Sequence, residues 1–105
     1  RKANLDELTL IHSSSYVKQV ESTAGKDFSR LDMDTTTSSG SYEAAVLAAG
    51  GLCQAISMVV SGELDNAFAL VRPPGHHAEM TGGWDFGSGR RSRWDQWEPA
   101  VMTFL

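Results

Sequence analysis

The sequence predicts an α/β fold with a parallel sheet, and three observations carry that expectation. A long, largely apolar stretch from Ser41 to about Val60 has the character of a helix. A short polar connection, Ser61-Gly62 and then Glu63-Leu64-Asp65-Asn66, follows it. A second apolar run, Ala67 to Val71, reads as a strand and ends at Pro73-Pro74, which continue neither a ladder nor a helix. Helix, short loop and buried strand form one half of a parallel βαβ unit. Such a strand needs partners on its edges and cover on both faces. A chain of 105 residues with one strand of this kind is therefore expected to be a partial sheet fold, a fragment.

The elements follow in order. Asn4 or Asp6 is placed to cap a short turn leading into Leu8 to Ile11, which reads as a brief strand or helical turn. Ser13 or Ser14 offers the N-cap of a helix through Tyr16, Val17 and Val20 that ends near Ala24-Gly25. Residues 25–40 are polar and rich in Thr, Ser and Asp, which predicts a loop without packed elements. The helix from Ser41 carries Ala45, Leu47, Ala48, Leu52, Ala55, Ile56 and Val59, leaving little polar surface, so it is expected to be mostly buried. Gly50-Gly51 inside it costs about 1 kcal/mol per glycine relative to alanine. Such glycines suit a site where another backbone packs close.

Composition is that of an ordinary globular domain, with 41% hydrophobic and 21% charged residues, and the size allows one small domain. The net charge of -4 gives no reason to expect nucleic acid as a direct partner. Arg90-Arg91-Ser92-Arg93 beside Trp94 and Trp97 is more simply a solvated stretch than a nucleic-acid patch. The single Cys53 excludes an internal disulfide framework and suits a reducing compartment. No apolar run is expected to span a bilayer, and Arg1 to Asp6 lacks the apolar core of a signal peptide. The expected location is cytoplasmic, or nuclear in a eukaryote. The start without Met is expected to be a processed or partial end.

Residues 69–79, Ala-Leu-Val-Arg-Pro-Pro-Gly-His-His-Ala-Glu, carry the functional signal. Gly75 allows a tight turn that brings His76 and His77 to the carboxyl end of the strand, where open α/β sheets place their chemistry. Two adjacent imidazoles can divide labour, one orienting a water and the other moving a proton near neutral pH. For an arbitrary His-His pair, simple solvation is the commoner outcome.

This run resembles the tandem-histidine motif of the histone deacetylase superfamily, in its class II and bacterial form. Leu31-Asp32-Met33-Asp34-Thr35, with Gly40-Ser41-Tyr42-Glu43-Ala44-Ala45 and Ala48-Ala49-Gly50, is similar to the loop and helix that precede the motif. Leu8-Thr9-Leu10-Ile11-His12-Ser13 with Tyr16-Val17 resembles an earlier family segment. The resemblance implies a partial arginase/deacetylase-type fold and a zinc-dependent hydrolase of acetyl-lysine or a related acetylated amine. It implies that His76 hydrogen-bonds the zinc-bound water and that His77 is general base and acid. It places Asp34, with Asp32 as alternate, and Gly75 at the substrate. Ordinary loop acids in an Asx-type turn are an equally good account of the two aspartates.

The family's zinc ligands, two Asp and a His, lie downstream of the histidines. After Glu79 this chain has no histidine, and its aspartates are only Asp85 and Asp95. No metal ligand is therefore assigned, and zinc is expected for the full-length family member but not bound by this fragment. His12 is expected to cap or pack, Tyr16 and Tyr42 to pack, Arg72 to be structural, and Cys53 to act as a small hydrophobe. Residues 1–80 are expected to be a partial deacetylase domain and residues 81–105, which hold all three tryptophans, a poorly ordered tail outside the family. Trp has the single codon TGG, so Gly83-Trp84-Asp85-Phe86 read one base earlier begins with Met, Leu or Val and then Gly. A frame change or an unspliced junction near Trp84 is the expected origin of the tail. A non-catalytic truncated product or a small binding module is the competing reading.

Overall fold

The computed structural model describes residues 1–33 and 35–73. It contains three helices and one two-stranded sheet among those residues: α1 (Leu5–Thr9), α2 (Ser14–Glu21), β1 (Ser29–Arg30), β2 (Thr36–Thr37) and α3 (Ser41–Val60).

Asn4, one of the two caps open to α1, is the one used. Its side chain accepts from the Glu7 N–H at 2.9 Å, and the Glu7 carboxylate accepts from the Asn4 N–H at 2.8 Å, which closes a capping box. The Arg1 guanidinium donates to both Glu7 carboxylate oxygens, at 2.7 and 2.9 Å. Asn4→Ala is expected to cost about 1 kcal/mol, read as a lowered midpoint in thermal unfolding. An unchanged midpoint, with Leu5–Thr9 amides equally protected, would contradict this role.

The Arg1 hydrogen bond, with the Asn4 N–H, holds the Glu7 carboxyl down at about 2, from an ordinary value of 4.5. A carboxyl depressed on folding stabilises the fold above the ordinary value and loses that contribution as pH falls through the folded one. Fraying of α1 is therefore expected between pH 4.5 and about 2. Carbon-detected NMR titration of Glu7 checks this, and a midpoint at the ordinary value would contradict it.

α2 starts where Ser13 accepts from the Tyr16 N–H at 3.2 Å. It ends through Ser22, and Thr23 turns its hydroxyl onto the Val20 carbonyl at 2.7 Å. Gly25, at φ 74°, then reverses the chain and donates to the Ser39 carbonyl at 3.1 Å. Residues 25–40 are not the structureless loop that their composition predicts. β1 and β2 pair antiparallel, with Ser29 opposite Thr37 and Arg30 opposite Thr36. Thr residues favour extended backbone, and the turn between the strands is tied by its own hydrogen bonds.

α3 has the bounds expected of it. Its end is a Schellman closure: Glu63 N–H reaches the Met58 carbonyl at 2.9 Å, and Gly62 N–H reaches that of Val59 at 3.1 Å. Gly62 sits at φ 79°, which a side chain would resist. The expectation of a mostly buried helix is corrected. Only Val46 and Gly50 are buried, while Leu47 and Val60 are 44% and 79% exposed. Apolar content measures what a helix is able to bury, and burial needs a partner surface. The close backbone approach at the glycines is present, but it comes from the amino-terminal segment. A Cβ on Gly50 would strike the Arg1 carbonyl oxygen and the Ala3 nitrogen. Ala3 N–H donates to the Val46 carbonyl at 2.8 Å, and Lys2 pairs with Glu43 at 2.7 Å. The expectation that no apolar run reaches bilayer length is also corrected, since α3 is long and apolar enough by length and composition.

No ladder forms over residues 67–71 among the described residues. The segment still alternates with the two-residue period of extended chain. Ala67, Ala69 and Val71 are half-buried, while Phe68 and Leu70 are 68% and 88% exposed. Among the described residues the buried hydrophobic core is correspondingly small, Val17 and Val46, and Thr23 is a buried polar residue.

Candidate functional site

Asp34, Gly75, His76 and His77 lie outside the described residues. The structure describes the segments that lead into them, the β1–β2 turn and the run from Leu64 to Pro73.

The turn is closed by Leu31 N–H on the Thr35 carbonyl at 2.9 Å and by Thr35 N–H on the Asp32 carboxylate at 2.7 Å. Asp32 thus serves its own loop, as an Asx-type turn requires. It also stands close enough to Tyr16 to affect its ionisation. Burial, and then the negative charge of Asp32, raise the Tyr16 phenol above its ordinary value. The Tyr16 ring packs on His12 with centroids 5.3 Å apart and planes tilted by 52°. His12 therefore packs, as expected of it. The link from α2 to the turn through Tyr16 and Asp32 escaped the sequence reading. His12 stands just before the Ser13 cap and Tyr16 in the first turn of α2, so their closeness in sequence is a recognisable signal for this contact. Nothing local joins Tyr16 to Asp32.

Other candidates stand apart from this group. Tyr42 is half-buried in the first turn of α3, consistent with packing. Cys53 is a part-buried thiol pushed up by burial and then by the Glu7 charge, so it is less ready to ionise than an ordinary cysteine. Arg72 is exposed. Among the described residues no group of three or more His, Cys, Asp or Glu side chains is placed to hold a metal. A catalytic zinc takes about three protein ligands with one position open, and the described side chains do not fit one.

The arrangement of helices and turn is that of part of a deacetylase domain. It matches a crystal structure of the HDA15 HD domain with a TM-score of 0.77 and 37% identity, over 82% of this chain and 25% of that one. The family model for the histone deacetylase domain matches residues 1–86, and the chain belongs to that family. The similarity thus continues past Glu79, where the legible motif ends. A probable deacetylase of Archaeoglobus fulgidus is 41% identical over 78 residues, 74% of this chain and 21% of the relative. The polyamine deacetylase HDAC10 of Danio rerio is 37% identical over 87 residues, 77% of this chain and 13% of the relative. The chain spans about a fifth or less of the length of these two proteins.

Proposed function

We propose that this chain is the part of a deacetylase domain that carries the tandem histidines, and that the whole site hydrolyses acetyl-lysine or a related acetylated amine. The observation that supports this reading most is the run Arg72-Pro73-Pro74-Gly75-His76-His77-Ala78-Glu79 lying inside the family match. His77 takes the proton of the attacking water as the new C–O bond forms, and returns it to the departing amine as the C–N bond breaks. His76 holds and orients that water by hydrogen bonding. Asp34 accepts hydrogen bonds from the substrate, and Gly75 lets the substrate approach the loop. Imidazoles suit both proton tasks because their ordinary pKa, about 6.5, lies near working pH.

The same reading gives α3 and residues 67–71 their partners. The exposed Leu47 and Ile56, on opposite sides of α3, and Phe68 and Leu70 within the strand-like run are side chains that the completed fold would cover. Zinc belongs to that completed, cytoplasmic or nuclear, enzyme. The ligands are not supplied by this chain, whose residues after Glu79 include no histidine.

The test has two arms. The chain itself, given zinc and an acetyl-lysine peptide, is expected to show no measurable hydrolysis. A chimera in which residues 1–79 replace the matching segment of the Archaeoglobus fulgidus relative is expected to turn the peptide over. Zinc-dependent turnover by the chain alone would overturn the incomplete-site reading. A folded but inactive chimera would overturn the deacetylase reading.

A further inference from the structure

No further inference is drawn: the strongest candidate, the exposed apolar patch of α3 at Ile56 and Val60, has nothing among the described residues to show what covers it beyond the sheet already assigned to the family fold.

Discussion

Gly51→Ala is expected to stabilise the chain, and Gly50→Ala, one residue away, to destabilise it. Both glycines sit mid-helix, where exchange for alanine gains about 1 kcal/mol of helix propensity. At Gly51 no described atom lies within 4 Å of the added methyl, so the gain is realised. At Gly50 the methyl meets the backbone of Arg1 and Ala3. Backbone cannot swing aside as a flexible side chain can, and overpacking of this kind costs about 1–3 kcal/mol. The net effect at Gly50 is a loss of up to about 2 kcal/mol. The loss is limited by detachment of the segment, which would give up the Ala3–Val46 hydrogen bond and the Lys2–Glu43 pair. Urea unfolding followed by circular dichroism gives the sign of each change, and hydrogen exchange at the Ala3 amide reports detachment. Equal stabilisation by both substitutions, with Ala3 still protected, would show that the segment does not cross the helix as described.

The helices were legible because their ends carry local chemistry. Asn4 with Glu7 three residues on, Ser13 before Tyr16, and Gly62 after Val60 each satisfy orphan backbone groups within one turn. Sequence offers such bonds without choosing among them: Asn4 stands beside Asp6 and Ser13 beside Ser14, and the first segment reads as a brief strand or a helical turn. The β1–β2 pair was not legible, because residues 25–40 lack the apolar alternation that marks a half-buried strand, and two-residue strands depend on the closing bonds of Gly25 and Leu31. The exposure of α3 was not legible either. Its composition states a demand for cover, and what meets that demand is a property of the tertiary assembly. The glycine pair illustrates the same division: a close backbone neighbour was readable from Gly50-Gly51, but its identity, residues 1–3, was not.

For the site, the legible part was the motif. The tandem histidines and their family emerged from eleven consecutive residues, 69–79, and the family match includes that run. Asp32 shows the limit of such reading. Of its two accounts, substrate contact and loop closure, the bond from Thr35 N–H shows the second. The charge of Asp32 beside the Tyr16 phenol arises from α2 meeting the β1–β2 turn. No local pattern encodes that meeting.

The central proposal, that His77 is the proton-transferring group, gives the largest expected effect. In the active chimera, His77→Ala removes the base that takes the water's proton and the acid that protonates the amine. General acid–base catalysis contributes about 10²–10⁴-fold, so kcat/KM for an acetyl-lysine peptide is expected to fall within that range. KM should change little, because the lost interaction is realised in the transition state. Asp34→Ala, by contrast, is expected mainly to raise KM through lost substrate binding. Circular dichroism of each variant separates a catalytic loss from a folding failure. The most direct measurement is therefore kcat/KM of the His77→Ala chimera beside its parent, with both shown to be folded: the account predicts a fall of about 10²–10⁴-fold, and a folded variant that retains the parent's kcat/KM would contradict it.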